Sequence, residues 1–196
     1  VNGIADYKGD TSYSVGGLIG ENPSSSMVIN SYAEGNVTGQ NEVGGLIGYN
    51  SGAIQKCFAA GNVSGNEQIG GLAGDSCGTI ENSYATGSTA GTQYIGGLVG
   101  YLDYSFGSIT NSYAVGLVDT ASTDRGGLHG GSIREDSVFN SYYDSDTTGQ
   151  SDSGKGVPLT TEEMVNQSSY SGWDFEDTWD IGDSDDPSYP YLQWQA

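Results

Sequence analysis

The chain has 196 residues, including 33 Gly and 14 Tyr, and its 25 acidic against 5 basic side chains give a formal charge of −20. That length suffices for one domain with a real core, while the charge argues against nucleic acid and anionic membrane surfaces as partners and leaves divalent cations as the natural ionic ones. No apolar run approaches the roughly 20 residues of a membrane helix, and two cysteines, Cys57 and Cys77, are too few for a disulfide framework.

In chain order, residues 1–13 read as the remainder of a repeat, with Val1-Asn2-Gly3 matched to Val37-Thr38-Gly39, so the chain is expected to begin in mid-repeat. Five copies of Gly-Gly-Leu-x-Gly follow, with leucines at Leu18, Leu46, Leu72, Leu98 and Leu128 and spacings of 28, 26, 26 and 30. A second landmark lies downstream in each: Asn30-Ser31-Tyr32, Lys56-Cys57-Phe58, Asn82-Ser83-Tyr84, Asn111-Ser112-Tyr113 and Asn140-Ser141-Tyr142. A third is a β-branched residue: Val37, Val63, Thr89, Val118 and Thr147.

A fixed period of this size means stacked units, none of which can bury a core alone. Each copy holds about three strand-like pieces, such as "GLIG", "AIQKCFA" and "GNVSG", set apart by Gly, Asn and Ser. No helical period survives through a repeat. The expected fold is therefore all-β: a right-handed parallel β-solenoid of about five coils over residues 1–149, with a C-terminal capping segment over 150–196. Stacking then gives columns: leucine; Ile/Val (Val28, Ile54, Ile80, Ile109, Val138); aromatic (Tyr32, Phe58, Tyr84, Tyr113, Tyr142); and asparagine, whose amides would hydrogen-bond from coil to coil. The longer spacings place bulging loops at 101–107 and 119–125.

The combination of Gly-Gly-Leu-x-Gly with Asn-Ser-Tyr-Ala-x-Gly-x-Val-x-Gly resembles the GLUG repeat of secreted and surface-attached bacterial proteins, over residues 14–149. Its plainest carriers are Gly96-Gly97-Leu98-Val99-Gly100 and Asn82-Ser83-Tyr84-Ala85-Thr86-Gly87. In that family the repeats occur in adhesin-like exported proteins and as accessory regions of immunoglobulin A-cleaving metallopeptidases. The resemblance implies an extracellular, non-catalytic repeat region of a surface protein, stalk or filament. The tail, with Tyr142-Tyr143-Asp144, Leu159 to Met164, Trp173-Asp174-Phe175, Trp179 and Tyr189 to Leu192, resembles segments that end such arrays.

From 150 onward the repeat stops. Thr160 and Glu163 form a capping-box pattern opening a short helix to about Gln167. All three tryptophans, Trp173, Trp179 and Trp194, fall in this last quarter. They are expected to lie over the last coil or along its side, because a solenoid end exposes unpaired edges. The competing reading makes them an aromatic platform for carbohydrate.

No catalytic or cofactor-binding residue is expected. One histidine, His129, supplies neither a zinc site nor a triad, and the metallopeptidase His-Glu-x-x-His pattern is absent. Lys8, Lys56, Arg125, Arg134 and Lys155 are too scattered to serve a polysaccharide lyase. The calcium candidates are Asp144 and Asp146 in "DSDTTG", then Asp183, Asp185 and Asp186, since closely spaced carboxylates in a turn suit a hard cation. Cys57 and Cys77 are expected to stay unbridged, six coil positions apart. The N-terminal end is expected to be open and to meet upstream repeats or a head-to-tail copy. The alternative function is a carbohydrate-binding or carbohydrate-active solenoid.

Overall fold

A computed structural model describes residues 13–103, 107–119, 121, 124–132, 137–152, 155–183 and 185–196, with the backbone of residues 3–4. Lys8 and Arg134 lie outside the described residues, as do the centres of the two loops. The chain winds into five stacked coils, numbered here by Leu18, Leu46, Leu72, Leu98 and Leu128. Coil 2 sets the pattern with strands Asn41–Gly44, Ile47–Asn50, Ala53–Gln55, Phe58–Ala59 and Val63–Ser64. Equivalent strands pair in parallel: Val43 with Ile69, Ile47 with Ala73, Ile54 with Ile80, Phe58 with Tyr84 and Val63 with Thr89. The predicted leucine, Ile/Val and aromatic columns all form.

Coils 1 to 3 thus have five strands each and coils 4 and 5 have four, where the sequence reading expected three. The reason is a corner that the pattern conceals. Asn30, Lys56, Asn82, Asn111 and Asn140 all have left-handed backbone, with φ between 46° and 52°, so "AIQKCFA" breaks into two strands at Lys56. The asparagine column is therefore a backbone device: Asn tolerates this conformation better than most residues. The amide ladder expected there runs elsewhere. Asn22 Nδ2 donates to Asn50 Oδ1 at 2.7 Å, and Asn50 Nδ2 to Ser76 Oγ at 3.0 Å. On another corner Asn62 N donates to Asn36 Oδ1, and Ser88 N to Asn62 Oδ1.

The serine of Asn-Ser-Tyr carries a ladder of its own. Cys57 N, Ser83 N and Ser112 N donate to the hydroxyls of Ser83, Ser112 and Ser141, each at 3.1 Å. Each of these hydroxyls donates to the carbonyl two residues before it. Buried corner groups are thereby satisfied in both directions.

Alternation then sorts the side chains. Ala59, Ala85 and Ala114 turn inward to join Leu46, Leu72, Leu98, Leu128, Ile54, Ile80 and Ile109 in one fully buried cluster. Val15, Val37, Val43, Val63, Ile69, Ile95 and Val118 make a second. The neighbouring aromatics face outward and need a cover of their own.

The paired glycines are there because backbones approach closely. A Cβ on Gly71 would lie 2.1 Å from the Gly97 carbonyl oxygen and 2.7 Å from Ala85 Cβ. Gly71→Ala must push two coils apart, and chemical denaturation should show a loss of about 1–3 kcal/mol, as for other overpacked sites.

Two alignments shift at the ends. The strand Gly3–Ile4 pairs with Val37–Thr38, so Gly3 rather than Val1 faces Val37. Thr147 leaves its expected column because residues 145–148 form a helical turn capped by the Asp144 carboxylate, and the Val118 N–H donates to the Thr148 carbonyl instead. Thr160 and Glu163 make the predicted capping box, but the helix ends at Met164, before a separate 3-10 turn at Gln167–Ser169.

Candidate functional site

Along one side the aromatic column forms a continuous stack. Tyr32, Phe58, Tyr84 and Tyr113 lie with ring centroids 5.0–5.1 Å apart and planes within 5°, the spacing set by the coils. The C-terminal segment runs lengthwise over it. Trp173 meets Tyr142 and Tyr113, Trp179 meets Tyr113 and Tyr84, and Trp194 meets Phe58 and Tyr32.

Each indole finds an acceptor at the left-handed corner. Trp173 Nε1 donates to the Asn140 carbonyl, Trp179 Nε1 to Asn82 Oδ1 and Trp194 Nε1 to the Lys56 carbonyl. Tyr113 OH donates to the Pro190 carbonyl at 2.6 Å. Most of this aromatic surface is therefore already occupied by the chain itself. At the far end a hollow of about 330 Å³ remains, lined by Tyr32, Glu34, Phe58, Trp194 and Gln195.

The outer edge of coil 5 is met by side chains standing in for a sixth coil. Asp152 Oδ1 accepts from Gly127 N at 3.0 Å, and Lys155 Nζ donates to the carbonyls of Arg125 and Gly130. The strand Val157–Leu159 pairs with Tyr142–Asp144. The tail thus lies both over the end and along the side. His129 sits beneath this closure in the column of Ile47, Ala73 and Val99, with neither ring nitrogen hydrogen-bonded. Burial, then the Lys155 charge, lowers it to about 4.

Among the calcium candidates, Asp144 and Asp146 are brought together. Asp144 is fully buried; its Oδ1 accepts from the backbone of Asp146 and Thr147, and its Oδ2 from Thr161 Oγ1 and Tyr189 OH, both at 2.7 Å. Asp146 Oδ2 accepts from Thr161 N. These carboxylates fasten α1 (Ser145–Thr148) to α2 (Thr161–Met164) and to the tail. Burial and the Asp144 carboxylate push Tyr189 up to about 12. Asp183 Oδ1 accepts from the backbone of Asp185 and Asp186, closing a turn. Among the described residues no three His, Cys, Asp or Glu side chains are grouped as a metal would require.

One ionisable group escaped the sequence reading. Asp75 faces outward between Tyr49 and Tyr101 yet is buried. Its Oδ2 accepts from Gln68 Nε2 at 2.8 Å and its Oδ1 has no partner. Burial first, then the charges of Glu42 and Asp103, push it up to about 7. No linear motif marks it, because Glu42, Gln68 and Asp103 come from different coils.

Both cysteines are free thiols. Cys57 is buried with its Sγ toward the Gln55 and Val28 carbonyls, and burial pushes it up to about 11. Cys77 lies 3.2 Å from Tyr49 OH. A thiol reagent at neutral pH is expected to modify one cysteine, Cys77, in the folded protein and both after denaturation. Mass spectrometry of the labelled peptides reads this directly.

The coils, their register and their covered flank define a repeat protein of the parallel β-solenoid class. Three stretches of these repeats match the GLUG motif, at residues 11–38, 39–64 and 91–120. A protein of Evansella cellulosilytica called a Gly-rich membrane protein is 42% identical over 99 residues, covering 46% of this chain and 12% of that protein. This chain therefore corresponds to a small part of that relative. No solved structure gives a significant match. Among the described residues no helix is long and apolar enough to cross a membrane.

Proposed function

We propose that the chain is a non-catalytic structural or adhesive module of an extracellular bacterial surface protein, serving in a stalk or filament without a cofactor. The observation that carries this reading is where the polar groups of the coils go: into ladders between coils and contacts with the tail. A rod held together in this way has mechanical continuity along its axis and solvated acidic faces. The name of the relative favours attachment to a cell envelope, and the charge favours a hydrated surface. Protease shaving of intact cells that make the parent protein tests the placement. Peptides from this chain should appear before lysis, and their release only after lysis rejects it.

The hollow beside Tyr32 favours a second reading, carbohydrate binding, because the exposed Tyr32 ring and the half-buried Trp194, beside the Glu34 carboxylate and the Gln195 amide, suit a sugar ring. A glycan array with the purified protein tests this. Specific signals lost in Tyr32→Ala support it, and a blank array rejects it.

A further inference from the structure

We propose that coil 1 is a docking face for one more coil of the same GLUG type, added in parallel register, so that the solenoid is open to extension in one direction only. The two ends of each column differ. Leu18 is 50% exposed whereas Leu46, Leu72, Leu98 and Leu128 are all at 0%, and Tyr32 is 51% exposed against 7% for Phe58. Of the eight exposed large apolar side chains among the described residues, five belong to coil 1: Tyr13, Leu18, Met27, Ile29 and Tyr32. Tyr32 also ends the ring stack, with Phe58 against one face.

Backbone register says what fits. Ala53 N donates to the Ser26 carbonyl, Phe58 N to Ser31 and Ala60 N to Ala33, each reaching back to the preceding coil. Their counterparts on coil 1 are the N–H groups of Met27, Tyr32 and Glu34. A preceding coil would offer them carbonyls, a leucine over Leu18 and an aromatic ring over Tyr32, repeating the junctions already made between coils 1 and 2. This continuity with an existing interface selects the occupant. A second copy stacked head to tail is unsuited, because Asp152, Lys155 and the strand Val157–Leu159 already hold the outer edge of coil 5. The strand Gly3–Ile4 already pairs with Val37–Thr38 on this face, as the last strand of such a coil would, and exposed apolar column tops beside a strand edge favour further strand addition.

The test places a copy of residues 41–66 directly before Tyr13, in place of residues 1–12, because Tyr13 falls in register with Asn41 and Glu67. A control carries the same insert with its copies of Leu46 and Ile47 changed to Asp, which prevents it from packing. Hydrogen exchange at Met27, Tyr32 and Glu34 is compared with the original chain. The folded insert should slow these amides by at least about tenfold and raise the thermal midpoint, and the control should do neither. Equal exchange in all three chains overturns the proposal, as does full protection already present in the original chain. Light scattering of the original chain supplies the remaining outcome: a stable dimer dissociated by Leu18→Glu would make a second copy the occupant and overturn it as well.

Discussion

Trp179→Ala is expected to lower unfolding free energy by about 3–5 kcal/mol, the range for truncating a buried aromatic. Trp179 is fully buried, stacks on Trp173 at 4.4 Å, and touches Tyr84 and Tyr113. Its Nε1 reaches Asn82 Oδ1, which belongs to a coil far away in sequence. The strand Trp179–Asp180 pairs with Tyr191–Leu192, so the residue also anchors the small antiparallel ribbon in the tail. Truncation leaves a cavity at the centre of the strap and strips the cover from the aromatic column. Urea denaturation gives the stability change, and limited proteolysis should release fragments from residues 160–196 while the coils resist. A loss below about 1 kcal/mol, with an intact tail, would mean that the strap does not depend on this contact.

That prediction lies at the border between what the sequence discloses and what it hides. Columns are legible because stacking forces equivalent positions to be alike: Ile54, Ile80 and Ile109 need one another's shape. A corner is less legible, because its signature is a φ angle that several residue types can adopt. Asn82 and Lys56 hold the same left-handed backbone, and only Asn advertises it. The serine ladder was concealed for a related reason, since the hydroxyls of Ser83 and Ser112 matter through backbone partners that no pattern of side chains displays. In the tail, aromatic density and the Thr160–Glu163 capping box announced a folded cover. Its path could not be read, because Trp194 pairs with the Lys56 carbonyl across 138 positions without any repeat to align them. The Asp144 carboxylate suits a cation on sequence grounds, and in the fold the same carboxylate caps a helical turn and holds Tyr189.

The dependence of stability on pH should contain two opposed components, each removable by one substitution. His129 is lowered to about 4 from 6.5, so between those values the unfolded chain holds more protons. Its contribution is full above pH 6.5 and disappears as the pH falls to about 4, a change of about 3 kcal/mol. Asp75 is raised to about 7 from 3.8, so there the folded chain holds more protons. Its contribution is full below pH 3.8 and disappears as the pH rises to about 7, a change of about 4 kcal/mol. Between pH 4 and 6.5 the two largely offset each other. His129→Val places an aliphatic group where Val99 stands in the preceding coil and removes two unpaired buried nitrogens. It should be neutral or stabilising at pH 7, and its advantage over the parent should widen toward pH 4. Asp75→Asn keeps an oxygen for Gln68 Nε2 and cannot ionise, so its advantage should widen from pH 4 to pH 7 and then level off. Denaturation series in urea from pH 4 to 8 measure both, and subtracting the parent curve cancels the background from the other carboxylates. Differences that stay flat across the range would show that neither group changes its proton affinity on folding.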